Sequence, residues 1–264
     1  MAKIVTIANN KGGVGKTTTA VNLAAALRLR GYDVLLIDYD GQRNLSEALR
    51  VPTSQGTIYD AVTDPRRTVS PVRLLSVEQG VGVLDVLPSS RDLSAMETEL
   101  AKASDRVTRL SGIVERWREQ YDVILIDTPP ALGLLSVSAL YASDAAIVTT
   151  QPNYLAVRGL VQLDETIKTI ATNRGRTLPY TILFTQADQR KSLHRLVIEQ
   201  VRSSGYDVLT TSVRDNIALA EAPAMGTDIF RYKPRSNGAR DYDAMAAEYL
   251  KRNKDVKHTR HGYK

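Results

Sequence analysis

Residues 9–18 read NNKGGVGKTT, and the runs that precede and follow them indicate the class of fold. Before it, Lys3 to Ala8 is a short apolar run that predicts a buried strand, and after it Lys16 to Arg30 has the pattern of a helix. The three glycines between them permit a tight turn whose backbone N–H groups point inward. The N-terminus of the helix adds partial positive charge, so this order predicts a loop that binds a triphosphate.

Two side chains of this loop have predicted roles. In the pattern G-x-x-x-x-G-K-[ST], the lysine reaches the β- and γ-phosphates and the hydroxyl binds Mg²⁺. In this chain the lysine is Lys16 and the hydroxyl belongs to Thr17. The pattern asks for glycine at position 10, where this chain has asparagine, and a second lysine follows it. The residues expected at the phosphates of ATP are Lys11, Gly12, Gly13, Val14, Gly15, Lys16, Thr17 and Thr18.

Strand-like and helix-like runs alternate along the rest of the chain. Further strands are predicted at Asp33–Asp38, Val81–Leu87, Tyr121–Asp127, Ala145–Thr150, Tyr180–Phe184 and Tyr206–Thr210. Further helices are predicted at Arg106–Glu119, Gly133–Tyr141, Leu155–Ala171, Ser192–Ser203 and Ala239–Arg252. The segment from Pro52 to Ser76 has turn signals and weak periodicity, and is expected to be a surface excursion. This alternation predicts a single-domain α/β fold of the P-loop NTPase type, with a mostly parallel twisted sheet and helices on both faces.

Composition limits the class of protein. Of 264 residues, 43% are hydrophobic and 24% charged, as in ordinary globular proteins, and no apolar run is long enough to cross a bilayer. The N-terminus has no signal-peptide pattern, so a cytoplasmic protein is expected. The absence of cysteine excludes disulfides, cysteine zinc sites and thiolate-held iron–sulfur clusters. Most of the formal charge of +6 lies in residues 251–264, which are predicted to form a basic, flexible tail after an ATPase domain at residues 1–250.

The stretch KGGVGKTT, with its additional lysine, resembles the deviant Walker A motif of the ParA/MinD class of ATPases. The resemblance implies that Lys11 reaches across a dimer interface to the nucleotide of the second subunit. Two ATP molecules are then sandwiched between the subunits, and Lys11 and Lys16 both act in catalysis. Because the motif begins at residue 9, the chain resembles the short ParA form that has no N-terminal DNA-binding domain.

Three acids follow strand ends and resemble the family's companion motifs. Asp127 precedes Thr-Pro-Pro, as in the Walker B segment, and its implied role is to hold the Mg²⁺ shell. Asp38 also ends a strand and is assigned to the same metal site. Asp40 lies in IDYDGQRNLS, which resembles the family's DxDPQxN, and is implied to orient the attacking water. Gly41 replaces the family's proline and Arg43 a common glycine, which is expected to loosen one turn and stiffen another.

The resemblance extends along nearly the whole chain. Residues 219–223 (LAEAP) and 232–239 (YKPRSNGA) resemble segments that lie near the adenine in the family, which makes Pro223 a candidate ATP contact. Only the stretch from about Pro52 to Leu100 is unmatched. DNA binding is expected to be nonspecific, through phosphates, although a solvated helix face would explain any single basic residue equally well. The candidates are Arg190, Lys191, Arg195, Arg202, Arg214, Lys233 and Arg235.

The resemblance implies a homodimer with ATP and Mg²⁺ as cofactors, associated with the nucleoid, that positions or segregates plasmid, chromosome or protein cargo. A ParB-like adaptor is expected to stimulate hydrolysis. One alternative is a MinD-like ATPase at a membrane surface, but the tail offers only Val256 and Tyr263 as apolar anchors, so insertion is not expected. Another alternative is an ATP-locked DNA-binding scaffold that hydrolyses weakly.

Overall fold

The computed structural model describes residues 1–76 and 80–256. Within them, one sheet has the strand order β3-β4-β2-β5-β1-β6-β7. All neighbouring strands are parallel except β3 and β4, which are antiparallel. The strands are β1 (Lys3–Ala8), β2 (Val34–Asp38), β3 (Val72–Leu75), β4 (Leu84–Leu87), β5 (Val123–Asp127), β6 (Ala145–Thr150) and β7 (Tyr180–Phe184). The predicted α/β fold with a mostly parallel sheet is confirmed.

Helices cover both faces of this sheet, because successive side chains of each central strand point to opposite faces. In β1, Val5 and Ile7 join one hydrophobic cluster, whereas Ile4 joins another. The helices are α1 (Lys16–Leu29), α2 (Asn44–Ala48), α3 (Ile58–Thr63), α4 (Asp92–Leu100), α5 (Arg109–Val114), α6 (Leu134–Ala142), α7 (Tyr154–Arg174), α8 (Ser192–Ser203), α9 (Ile217–Glu221), α10 (Ile229–Tyr232) and α11 (Asn237–Arg252). Short 3₁₀ turns lie at Glu115–Trp117 and Ala222–Met225. Buried residues of α1 and α11 share a cluster with Val5 and Ile7, so these two helices lie on the same face.

Strands β1, β6 and β7 and helix α8 have the predicted bounds, but the predicted strand Tyr206–Thr210 is wrong. Two backbone hydrogen bonds attach this segment to Ile182, from Ile182 to the Asp207 carbonyl (2.8 Å) and from Leu209 to the Ile182 carbonyl (2.9 Å). The segment therefore pairs with β7 only at the isolated bridge between Val208 and Ile182 and does not form a strand.

The predicted surface excursion at Pro52–Ser76 is also wrong, since it contains α3 and the edge strand β3. Thr57 caps α3 in a reciprocal capping box, and the helix buries Ile58, Ala61 and Val62 against the sheet. Helix α4 was not predicted either. Elements of four to nine residues show too few repeats for a hydrophobic period to be recognised in the sequence.

The first part of the predicted tail is packed against the domain. Helix α11 ends at Arg252, whose guanidinium contacts Asp207 (2.7 Å), and the side chain of Val256 is buried in the core. Asp255 forms an ion pair with Lys3 at the start of β1. The rest of the predicted tail, residues 257–264, lies outside the described residues. In the described part of the chain, no helix combines the length and apolar character needed to span a bilayer.

Candidate nucleotide site

The glycine-rich loop lies at the carboxyl edge of the sheet, between β1 and α1, where parallel α/β folds bind their ligands. Gly13 and Gly15 have φ of 71° and 76°, which side chains other than glycine rarely adopt. Residues after β6 and β7, which were not among the predicted site residues, hold the loop from outside. Gln151 and Gln186 each donate to the Gly13 carbonyl at 3.0 Å, and Thr185 donates to the Val14 carbonyl at 2.9 Å.

Lys16 is the first residue of α1 and is buried beneath this loop, with 7% of its surface exposed. Its Nζ donates to the carbonyl of Lys11 at 2.9 Å. Burial lowers the pKa of Lys16, against the opposing charges of Asp127 and Asp40. The ammonium is therefore partly desolvated, so its attraction for an entering phosphate is screened less than it would be in water.

Thr17 and Asp127 form the part of the site that fits a magnesium ion. The Thr17 hydroxyl donates to Asp127 Oδ2 at 2.6 Å, and the other carboxylate oxygen, Oδ1, is buried without a hydrogen-bond partner. Burial, aided by the charge of Asp38, raises the pKa of Asp127 to about 8. The Thr17 hydroxyl oxygen and the unpartnered Oδ1 of Asp127 are suitable ligands for Mg²⁺. This ion usually keeps several waters and substrate phosphates as its other ligands.

Asp38 is oriented differently, although its strand register places it beside Asp127. Its Oδ2 accepts hydrogen bonds from the Ser46 backbone (2.8 Å) and hydroxyl (2.6 Å). Burial raises the pKa of Asp38 to about 6, although the hydrogen bonds from Ser46 oppose the shift. The Ser46 hydroxyl in turn accepts from the Ser89 backbone at 3.0 Å. Asp38 therefore holds α2 and the end of β4 behind the site.

Asp40 lies on the wall of the cavity itself. Its Oδ1 accepts from the Gln42 backbone at 2.9 Å, which fixes the carboxylate within a tight turn. Arg43 follows in the left-handed conformation, with φ of 59°. This conformation suits the glycine that the family often has there, so Arg43 stiffens the turn at a cost of about 1 kcal/mol.

A cavity of about 470 Å³ opens in front of the loop and is large enough for a nucleotide. Helix α2 forms one wall and the turn after α9 forms another, where Pro223 is located. The lining residues are Gly12, Gly13, Gly15, Lys16, Thr17, Thr18, Val21, Asn22, Asp40, Asn44, Ala48, Thr128, Pro130, Leu219, Ala222, Pro223 and Thr227. A second cavity, of about 130 Å³, shares Gly15, Thr18 and Leu219 with it.

Comparison with known proteins identifies the family of this chain. The AAA domain family matches residues 2–179. The sporulation initiation inhibitor protein Soj of Bacillus subtilis is 39% identical over 252 residues, covering 94% of this chain and 98% of Soj. The chromosome partitioning protein ParA of Myxococcus xanthus is 37% identical, covering 96% of this chain and 89% of that protein. This chain belongs to the ParA family of P-loop ATPases.

A solved structure supports the ParA-family fold. The cobyrinic acid a,c-diamide synthase of Mycobacterium smegmatis, with bound ATP analog and magnesium, superposes with a TM-score of 0.82 and 28% identity, covering 97% of both chains. Membership of the ParA family confirms the resemblance inferred from the deviant Walker A motif, and with it the assignment as an ATPase.

The ParA-type lysine, Lys11, lies at the outer rim of the loop against α7. An added Cβ at Gly159 of α7 would stand 3.5 Å from Lys11 Cε. The neighbouring Asn10 donates to Gln162 of the same helix at 2.9 Å. A distance of 3.5 Å is an ordinary van der Waals contact, so α7 packs against Lys11 and Asn10 at the rim of the loop.

The structure does not gather the seven DNA-binding candidates into one free cluster. Arg190, Arg214 and Lys233 form ion pairs with Asp188 (2.9 Å), Asp241 (2.6 Å) and Glu221 (2.8 Å), in that order. Arg195 and Arg202 donate to backbone carbonyls. Three of the seven candidates line one groove together with three acidic residues. The candidates are Arg190, Lys191 and Arg214, and the acids are Asp188, Asp215 and Asp241.

Proposed function

We propose that this positioning ATPase works as an ATP sandwich dimer that binds DNA nonspecifically and releases it on hydrolysis. The observation that supports this most strongly is the group formed by buried Lys16 and Asp127 with half-buried Thr17, beneath a loop whose outer rim carries Lys11. Lys16 would neutralise the β- and γ-phosphates from below, while Lys11 serves the nucleotide of the second copy. Phosphoryl transfer depends mainly on such positioning and charge stabilisation.

Magnesium would be held by Thr17 and Asp127, with Asp38 supporting them from behind. The ion would supply positive charge to the phosphate oxygens, and the ATP phosphates and water would complete its ligands. Asp40, on the cavity wall, would orient the attacking water. Pro223 and the second cavity lie farther along the same cleft, and we propose that the base is held there.

The face around the cavity supports a second copy as the partner. Three large apolar side chains are highly exposed there, Tyr154 (79%), Ile217 (75%) and Met225 (61%). Tyr154 begins α7, the helix that contacts Lys11, and the other two flank the lining residues Leu219 and Pro223. Large apolar side chains exposed beside a ligand site favour a surface that becomes covered by a partner.

Lys11→Ala is the direct test of the sandwich dimer. We expect this variant to bind ATP with nearly unchanged affinity, because Lys16 and the loop amides remain, but to stay monomeric. Size-exclusion chromatography with light scattering, in magnesium and a non-hydrolysable ATP analogue, measures this. The surface variant Lys102→Ala is the matched control and should dimerise. A dimer of Lys11→Ala as stable as the wild type would reject the proposed role of Lys11.

Lys191 and Arg235 are the best-placed candidates for DNA contact, because both are exposed and neither has an ion pair among the described residues. Reversing both charges, with Lys191→Glu and Arg235→Glu, should weaken binding of the ATP-bound protein to random-sequence DNA about tenfold or more and flatten its salt dependence. The control, Arg66→Glu with Lys102→Glu, changes net charge equally. Equal losses in both double variants would show that only the total charge matters.

We further propose that the protein is cytoplasmic and nucleoid-associated, that a ParB-like adaptor stimulates its hydrolysis, and that its cargo is a plasmid, a chromosome or a protein assembly. The MinD-like alternative requires a C-terminal apolar face that can enter a membrane surface. One of its two proposed anchors, Val256, is buried in the core, and the other, Tyr263, lies outside the described residues. Pelleting with anionic vesicles and ATP should therefore leave the protein in the supernatant.

A further inference from the structure

Helix α4 lies directly on the turn that carries Asp40. An added Cβ at Gly41 would stand 2.7 Å from the Ser94 backbone nitrogen and 2.9 Å from Ser94 Cβ, and would overlap the Ser94 hydroxyl. Cβ atoms essentially never approach other atoms this closely, and a backbone nitrogen cannot rotate away as a side chain can. Glycine at position 41 is therefore what allows α4 to pack against this turn.

The same helix also contacts the other acid-bearing segment. Glu97, one turn after Ser94, accepts a hydrogen bond from the Leu134 backbone at 2.6 Å through its Oε1. Leu134 begins α6, which follows the segment that starts at Asp127. A Cβ at Gly133 would overlap the same carboxylate oxygen. Glu97 thus caps the N-terminus of α6, where a negative charge is favourable.

Buried side chains fix α4 between these two contacts. Leu93 and Leu100 are buried in the same cluster as Tyr39 and Leu135. Tyr39 separates Asp38 from Asp40 in the sequence, and its hydroxyl lies 3.3 Å from the Ser138 hydroxyl of α6. The turn of Asp40, α4 and the start of α6 therefore form one packed unit around this tyrosine.

We propose that α4 is a brace that sets the position of Asp40 relative to the segment after Asp127, with Ser94 and Glu97 as its positioning residues. The proposal rests on the role proposed above for Asp40, but not on DNA binding or on the adaptor. It accounts for the glycine at position 41, where the family has proline. Proline has no room beneath Ser94, so in this chain the family's residue would displace the brace. Any ligand or protein that shifted α4 would change hydrolysis without touching the nucleotide.

The test compares steady-state ATP hydrolysis by four variants of the full chain. In Gly41→Ala and Glu97→Ala, we expect kcat to fall roughly tenfold with KM changed less than about twofold, because the nucleotide contacts remain while Asp40 is displaced. Glu97→Gln should retain wild-type turnover, since its amide oxygen can still accept from Leu134. Gly112→Ala is the matched glycine control, because nothing lies within 4 Å of an added Cβ there.

A readout independent of catalysis separates this proposal from the role of Asp40. The Gln42 amide, which donates to Asp40, should exchange its hydrogen several-fold faster in Gly41→Ala and Glu97→Ala than in wild type. In the double variant, the fall in kcat should be smaller than the product of the two single falls, because Gly41→Ala and Glu97→Ala both release the same helix. Unchanged exchange and kcat in Glu97→Ala, or a loss in Glu97→Gln equal to that in Glu97→Ala, would overturn the brace. Normal turnover of Asp40→Ala would instead refute the role of Asp40.

Discussion

Lys16→Ala is expected to lose ATP binding, with the dissociation constant for Mg-ATP rising at least about 100-fold. The buried ammonium is the only described Lys or Arg side chain among the residues that line the main cavity. Truncating one partner of a buried charge pair costs about 2–5 kcal/mol, and every 1.4 kcal/mol changes affinity tenfold. Isothermal titration of the monomer with ATP and magnesium measures this loss.

Two comparisons make that result specific. Lys11→Ala removes a lysine from the same loop, but one at its rim, and should retain affinity close to wild type. Thermal unfolding without nucleotide should show that Lys16→Ala is folded, although its hydrogen bond to the Lys11 carbonyl is gone. If the dissociation constant of Lys16→Ala for Mg-ATP stayed within tenfold of the wild-type value, the backbone amides of the loop would be sufficient for ATP binding without the lysine.

Asp40→Ala is expected to lower the rate of hydrolysis at least about 100-fold while ATP binding and dimerisation persist. A positioned carboxylate that assists proton transfer or orients water contributes about 10²–10⁴ in rate. Its removal leaves Lys16, Thr17 and Asp127 in place, so the variant should accumulate as an ATP-bound dimer. Single-turnover phosphate release, run beside size-exclusion chromatography, measures both effects.

The isosteric variant Asp40→Asn controls for the geometry of the turn, because its amide oxygen can still accept from the Gln42 backbone. Equal losses in Asp40→Ala and Asp40→Asn would assign the effect to the carboxylate charge. Normal turnover in both would reassign the water-positioning residue. A wild-type rate already as low as that of Asp40→Asn, even with DNA and an adaptor present, would favour the ATP-locked scaffold.

The central fold was predictable because its signals are local and strong. Strands β1, β6 and β7 are mostly apolar runs, and their bounds were correct. Strand β6 is buried throughout, whereas β1 and β7 each begin half-buried. The segment at Tyr206–Thr210 carries a similar signal but forms only two hydrogen bonds to Ile182, which no local pattern reveals. Helices α3 and α4 and strand β3 are short, and their stability comes from packing against other elements.

The phosphate loop could be predicted without the structure, since a strand, three glycines, Lys16 and Thr17 follow one another along the chain. The two strand-end acids, Asp38 and Asp127, could be predicted as well, because parallel strands end at the same edge of a sheet.

The contacts of each group could be read only from the packed structure. Ser46 donates to the carboxylate of Asp38, Gln151 and Gln186 donate to the Gly13 carbonyl, and α4 covers Gly41. Five of the seven basic candidates are likewise held by acids or carbonyls. Local backbone conformation and the pattern of burial follow from residues that are adjacent in the sequence, so they can be predicted from it. Hydrogen bonds and close contacts between distant segments exist only once the whole chain has packed.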